Sequence, residues 1–497
     1  MNEIVKKAKA SILHYATEYR RVAIFLLLVY LIALFPLFRA NYNYRDDVGR
    51  VLWAFDGWQN FGRITSNTLS HIIHADYYLR DISPLTQIIA VILMVISSMV
   101  LLHVVRGKKK LGLLDAISVL PLGLFPYFLC CFSYKYDSPY MALSVLVSIL
   151  PLAIRKQGKL FYLTSFVCSL LMCTTYQASS GLFPMLVVYT AFHDWKEGTA
   201  PRKILQYCLF SAFSYIAALL VFFLFIPKGN SGYVAETAKL DFSSLKHIFE
   251  NYWSYISTFK NDFTLKWFAI IAVLSVLFFF INAVKSCQKM IWTIICCAIT
   301  LVLLFIFSFG PYPFLEKAFL MPRGMYGLNL FVTLLCLDAT SDIKAACKLF
   351  SIGKSIAWIS VIALSWMCIV FTSTYGNALA AQKSYNEFRA EELAVNLAEL
   401  PCIKNEAKTE IQIVGSIGYA AGIKSIPGDR IMLRLIPPPF SGDNYWSYLV
   451  FLRYYGLPNL NYTEELVNED YLTWEIAHDS FYHVVYTDSD RVIVILK

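Results

Sequence analysis

Residues 20–50 read RRVAIFLLLVYLIALFPLFRANYNYRDDVGR. The seventeen residues 22–38 contain no charge and follow a basic segment. A bilayer core is crossed by about 17–25 mostly apolar residues, so this run predicts a membrane span. No small-residue cleavage site follows it, so the expectation is a signal anchor that stays in place. Directly beyond it stand two adjacent carboxylates, Asp46 and Asp47, flanked by Arg45 and Arg50. Charge is costly at a bilayer boundary, and these four residues therefore need a reason to be there.

Composition agrees with a membrane protein. The chain of 497 residues is 58% hydrophobic and only 15% charged, with a mean hydropathy of +0.55; soluble domains carry about 25% charged residues. Further apolar runs lie at 84–105, 116–132, 139–154, 160–176, 179–192, 204–227, 267–284, 290–309, 324–337 and 355–375, giving an expectation of about eleven transmembrane helices. The runs at 139–154, 179–192 and 324–337 are short for a crossing. Alternate connecting segments, among them RGKKK, RKQGK, HDWKEGTAPRK and KSCQK, are short and basic. Basic residues collect on the cytoplasmic side, which predicts a cytoplasmic amino terminus. The opposite set of segments then faces outward: 39–83, 133–138, 177–178, 228–266, 310–323 and everything after Tyr375. Membrane retention accounts for the net charge of +9 without a nucleic-acid partner.

The chain changes character after Tyr375. The stretch KSYNEFRAEELAVNLAEL (383–400) reads as a helix, and IQIVGSI, HVVYT and RVIVIL read as strands. IPPPF at 436–440 reads as a rigid turn. Two regions are expected: a transmembrane catalytic region over 1–375 and a small extracytoplasmic α/β domain over 376–497. Of the twelve cysteines only Cys402 falls in the outer carboxy-terminal region, and there is no CxxC pair. The cysteines thus offer neither an internal disulfide outside nor a metal framework, and nothing calls for a cofactor.

Chemistry-bearing residues cluster in the outward segments. After Asp47, Val48, Val51, Leu52, Phe55 and Trp58 fall at helical spacing, predicting an amphipathic helix on the membrane surface. One aspartate can be a helix cap, but a cap does not explain both, nor the arginines. A capped carboxylate near Arg45 or Arg50 is expected to stay ionised at neutral pH. SYKYDSPYMAL (133–143) sets Lys135 and Asp137 among aromatic residues, which also suits an interfacial tyrosine belt with a surface ion pair. TYQAS (175–179) brings Tyr176 and Gln177 to a span end, where simple helix termination is the alternative. In GPYPFLEKAFLMPRGMYGL (310–328), Arg323 stands after Pro322 at a boundary where a lipid phosphate can partner it. Asp81 and Ser83 in DISPLTQ read as a cap ahead of Pro84.

In this order YNYRDDVGR, then Gly57, Trp58, Gly62 and Arg63, then DISPLTQ, SYKYDS, TYQAS and MPRG resemble the outer-loop pattern of the Gtr-type, serotype-converting glucosyltransferases of bacterial O-antigens, polytopic enzymes similar to the GT-C superfamily. The resemblance covers roughly residues 20–340. It implies transfer of a sugar, often glucose, from an undecaprenyl-phosphate donor to O-antigen or another surface glycan outside the bacterial cytoplasmic membrane. It also implies an acidic base or orienting group in the first outer loop, the position of Asp46 and Asp47. Arg45, Arg50, Arg63, Lys135, Asp137, Tyr176, Gln177 and Arg323 are the candidate substrate ligands, with Arg323 and Lys135 foremost for the phosphate. Trp53, Trp58 and Tyr176 are candidates to pack on sugar faces. A glycolipid flippase or transporter shares the apolar bundle but buries charges within spans, and an O-antigen polymerase shares the outer-face chemistry. Both readings stay open at this point.

Overall fold

Helix α1 (Asn2–Ala40) holds the run 22–38 whole and ends where Asn41 turns left-handed, at φ 44°. The computed structural model describes residues 2–107, 110–227, 242–341, 348–405, 408–424, 428–436, 452–453, 455–457, 459–468 and 470–497. Two short loop helices, α2 (Asp47–Trp53) and α3 (Ile64–His74), precede the long α4 (Leu85–Arg106). Then come α5 (Leu113–Val119), α6 (Pro121–Leu124), α7 (Pro126–Ser133) and α8 (Ser138–Ile149), the last continuing as tighter turns to Gln157. After them run α9 (Lys159–Thr175), α10 (Leu182–Lys196), α11 (Pro201–Phe225) and α12 (Phe242–Asp262). α13 (Leu265–Lys285), α14 (Met290–Ser308), α15 (Gly327–Ala339) and α16 (Lys348–Ala398) complete the bundle.

Every expected span falls on these helices, the run 116–132 on three of them, but among the described residues fewer than eleven have the length and apolarity of a free-standing crossing. Among the described residues seven do, or eight if a bent pair counts as one. The run at 139–154 qualifies, since α8 and its extension form one apolar segment of 20 residues. The runs 160–176, 179–192 and 324–337 lie on helices of 17, 15 and 13 residues. α15 is buried along nearly its whole length; sheathed by protein, it need not match the hydrocarbon thickness.

The bent pair is the run 116–132, where α5–α6 and α7 meet at 62°. Pro126 lacks an N–H and drives Phe125 out of helical backbone to ψ 138°. The side-chain amide of Asn329 on α15 donates to the carbonyls of Leu122 (3.2 Å) and Phe125 (2.9 Å), so the break does not leave them bare in an apolar interior. At Gly376 α16 crosses α1 so closely that a Cβ would lie 2.3 Å from the Leu37 nitrogen. A small residue permits that approach.

α16 does not stop at residue 375. It continues unbroken to Ala398 and lays Ala390, Leu393 and Leu397 against a five-stranded sheet. Beyond it lie α17 (Pro401–Lys404), β1 (Thr409–Val414), α18 (Ala421–Lys424), α19 (Ile431–Leu435), β2 (Leu460–Tyr462), β3 (Glu475–Asp479), β4 (His483–Asp488) and β5 (Arg491–Leu496). The sheet order is β2-β1-β5-β4-β3. β1 runs parallel to β2 and β5, with Ile411 opposite Val492, while β4 pairs antiparallel with β5 and β3. The three expected strands are β1, β4 and β5; β2 is three residues long and β3 is a mostly exposed edge. Of the expected turn at 436–440, residues 437–440 lie outside the described residues.

The segment 428–436 returns to the bundle. Asp429 accepts from the backbone N–H (2.9 Å) and hydroxyl (2.8 Å) of Thr264 and the indole of Trp267 (2.9 Å) at the start of α13. Leu435 and Ile436 are fully buried among the bundle helices. The carboxy-terminal region is thereby anchored beside the loops that follow α1.

Candidate active site

The expected surface helix is cut short. α2 ends at Trp53 because Ala54 turns left-handed (φ 51°), and Gly57 (φ 69°) redirects the chain before Trp58. Trp58 is therefore not on a membrane-facing stripe. It is 2% exposed, and its indole N–H donates to Asp137 Oδ1 at 2.5 Å. Its ring packs edge-on against Tyr140, inside the loop structure.

Asp46 and Asp47 have opposite surroundings. Asp47 is completely buried, and its Oδ2 accepts from the backbone N–H groups of Tyr44 (3.1 Å) and Lys135 (2.9 Å). It staples the first loop to the loop between α7 and α8. Burial, with the Asp137 charge adding to it, pushes the Asp47 carboxyl up to about 8, against the Lys135 N–H and the charges of Arg50 and Lys135. The expectation that nearby arginines keep a capped carboxylate ionised fails here, because desolvation outweighs them. Asp46, one residue earlier, is exposed and makes no capping hydrogen bond. Its charge acts on Arg50, Tyr134 and Arg323. Arg45 precedes it in left-handed backbone at φ 51°, a conformation that costs a non-glycine residue roughly 1–2 kcal/mol. That turn separates the two carboxylates, one outward and one inward. Strain of this kind gathers at functional sites.

Three of the expected ligands already have protein partners. Arg50 and Asp137 form a buried ion pair, with the Arg50 guanidinium 4.1 Å above the Trp58 ring. Lys135 is 3% exposed and donates to Asn43 Oδ1 (2.7 Å) and Asp81 Oδ2 (2.9 Å). Asp81 also accepts from the Ser83 N–H (3.0 Å), so it turns the chain ahead of Pro84 as expected while neutralising Lys135. These groups lock the loops together.

The others form a second cluster, in which Asp46 acts on Arg323 and Arg323 on Arg63. Arg323 donates to the Tyr134 hydroxyl, and its Nε is buried without a partner. Arg45 Nε is likewise buried and unsatisfied, and the Arg45 charge also acts on Tyr134. Arg63 Nε donates to Gln177 Oε1 at 2.9 Å, while Gln177 in turn donates to the Cys173 and Phe61 carbonyls. The Arg63 guanidinium lies 4.7 Å from the Tyr176 ring centre, and Tyr176 stacks on Tyr326. Among the described residues none of Arg45, Arg63 and Arg323 forms an ion pair with a carboxylate. Three guanidiniums and one exposed carboxylate, walled by tyrosines, suit an anion beside a hydroxyl-bearing ligand.

Sequence reasoning passed over several contributors. Tyr134 holds Arg323, and Tyr44 both donates to the Leu435 carbonyl (2.8 Å) and packs edge-on against Tyr134 (4.9 Å between ring centres). Arg434 on α19 pairs with Asp262 at the end of α12. Arg453 lies 5.9 Å from the ring of Trp53, the one proposed sugar-packing tryptophan that is exposed. Residues 434 and 453 are far from the first loop in sequence, and no local spacing links them.

The comparisons with known proteins cover this ground. The family described as Glucosyl transferase GtrII matches residues 35–335, more than half of the chain. All ten candidate residues fall within that range, and the carboxy-terminal sheet falls outside it. An uncharacterised 55.3 kDa protein in the gtrB 5′ region of Salmonella phage P22 is 23% identical over 448 residues, 87% of this chain and 89% of that protein. No solved structure matches.

Proposed function

The chain belongs to the GtrII glucosyl transferase family, and from that premise we propose that it moves glucose from an undecaprenyl-phosphate donor onto O-antigen or a related surface glycan, with inversion, at the outer face of the bacterial cytoplasmic membrane. Membership makes it a glycosyltransferase of the membrane, since its helices include at least seven of spanning length and apolarity. The observation that carries the finer reading is the contrast at the start of α2. Asp46 is exposed beside Arg45 and Arg323, which have no carboxylate partner among the described residues, while Asp47 is buried and stapled.

In the proposed reaction the acceptor hydroxyl oxygen attacks the anomeric carbon as the bond to the donor phosphate breaks. Asp46 takes the hydroxyl proton. The departing polyprenyl phosphate carries negative charge and needs cationic donors, not a proton. Arg323 and Arg45 take this role in the proposed reaction, supported by their common neighbour Tyr134 and by Arg63 acting on Arg323. Lys135, foremost with Arg323 on sequence grounds, gives way because Asp81 already neutralises it. Arg50, Asp137 and Asp47 hold the loops in register, so their contribution is positioning. Trp53, 40% exposed, remains the aromatic surface open to a sugar, whereas Tyr176 is buried between Arg63 and Tyr326.

The flippase and polymerase readings lose ground to family membership. The test of the division of labour is glycan analysis of cells expressing each single substitution at matched membrane levels. Asp46→Asn is expected to abolish hexose addition and Asp47→Asn to leave most of it. Near-normal modification with Asp46→Asn would remove Asp46 from the chemistry.

A further inference from the structure

At the end of the bundle away from Asp46 the helices enclose a cavity of about 970 Å³. α4, α10 and α15 each reach from the loops around Asp46 to this cavity, and α4 alone spans about 33 Å at 1.5 Å per residue. Seven lysines and arginines line it against three carboxylates. They come from five separate connecting segments, the same ones whose basic residues oriented the chain in sequence. Retention of basic loops on one side accounts for the charges in each segment. It does not require them to converge on one concavity.

Six of the seven cations divide into two groups, and the seventh, Lys285, donates to Ser341 Oγ at 2.7 Å. Arg106 is held by Asp115 (2.7 Å), and Arg155 by Asp194 (2.6 and 3.0 Å). Lys196 is 4% exposed, fixed by Asn282 Oδ1 (2.6 Å) and His193 Nδ1 (3.0 Å). Lys110, Lys156 and Lys354 are exposed, and none has a carboxylate partner among the described residues. The rigid group shapes a basic floor, and the free group leaves a surplus of positive charge at the rim.

What would neutralise it can be read from the walls. Among the described lining residues Trp358 is the one Trp, Tyr or Phe, so a nucleotide base finds no pair of large rings to stack between. Trp358 is also 41% exposed, lies 5.0 Å from Lys354 Nζ, and sits at a bundle end where indoles mark the membrane interface. From that point Ile352, Ile356, Ile359 and Ile362 run along the outside of α16, each at least 45% exposed. A basic cavity thus opens beside an apolar stripe. Such pockets between helices suit acidic lipid head groups.

We propose that this cavity binds the phosphate head group of an acidic membrane phospholipid, whose acyl chains lie along the α16 isoleucines. The proposal is independent of the transfer reaction. It is tested on the full-length protein in neutral detergent, following thermal unfolding while phosphatidylglycerol, phosphatidylcholine or inorganic pyrophosphate is added. Phosphatidylglycerol should raise the unfolding temperature saturably and phosphatidylcholine should not. Each basic residue near an acidic head group contributes about fivefold in affinity, so Lys156→Glu combined with Lys354→Glu should weaken half-saturation at least ~25-fold. Both positions are exposed, which keeps the fold intact. Equal shifts with the two lipids, or an unchanged phosphatidylglycerol titration in the double variant, overturns the proposal. Saturation by pyrophosphate alone at similar concentration overturns the lipid source and assigns the cavity to a soluble phosphate.

Discussion

Replacing Asp47 separates its structural duty from the chemistry of its neighbour. Asp47→Ala removes the acceptor for the N–H groups of Tyr44 and Lys135, and both residues are buried, at 0% and 3% exposure. A buried donor left unsatisfied costs about 1–3 kcal/mol, so the pair puts the loss at roughly 2–6 kcal/mol. That is a large share of a typical net stability of about 5–15 kcal/mol. Asp47→Asn keeps a carbonyl oxygen for both donors but points its amide where Oδ1 lacks a partner, so it should cost about 1–3 kcal/mol, less than Asp47→Ala. The pH dependence has a definite sign. A carboxyl raised from 3.8 to about 8 binds its proton more tightly folded than unfolded. Its contribution to stability is therefore full below pH 3.8 and is lost as pH rises towards 8. Asp47→Asn should flatten that decline. The assay is thermal unfolding of purified protein in detergent at several pH values, alongside transfer activity. Wild-type stability in Asp47→Ala would refute the stapling role. A well-folded Asp47→Asn protein without activity would move the chemistry from Asp46 to Asp47.

Arg323→Lys keeps the charge but loses the planar fork, so it should raise the donor KM or lower kcat with acceptor dependence unchanged, and Arg323→Ala should lose donor use almost entirely. Normal turnover in the alanine variant would make Arg323 a structural partner of Tyr134. Asp137→Ala leaves Arg50 buried and unpaired and should cost about 3–5 kcal/mol, read as loss of protein from membranes. Adding Arg50→Leu to it should restore part of that loss, as a double-mutant cycle detects. A phosphatase fused after Lys497 should be active outside the cytoplasm; a cytoplasmic signal would mean that one of the three short runs is not a crossing.

Spans were legible because burial in lipid demands long uncharged runs, and all eleven runs found helices. Their lengths were less legible. Protein-sheathed α15 needs no full span, which hydropathy alone does not reveal. The bend in 116–132 was written in Pro121 and Pro126, but its repair by Asn329 comes from 204 residues away. The loop helix α12 carries Ile248, Tyr252, Tyr255 and Phe259 at helical spacing, a readable signal in a segment taken only as a long loop. At the site, residue types were legible and their environments were not. Asp46 and Asp47 look alike in sequence, and what separates them is the fold's choice of which carboxyl to bury. Lys135 looked free because Asp81, its partner, lies 54 residues earlier.

The most direct test of glucosyl transfer by inversion is the anomeric configuration of the product. Purified protein is given synthetic polyprenyl-phosphate glucose of known configuration and a glycan acceptor, and the new linkage is read by NMR. The expected result is glucose joined with inverted configuration, with Asp46→Asn slower by about 10²–10⁴-fold. Retained configuration, or undiminished transfer by Asp46→Asn, would contradict it.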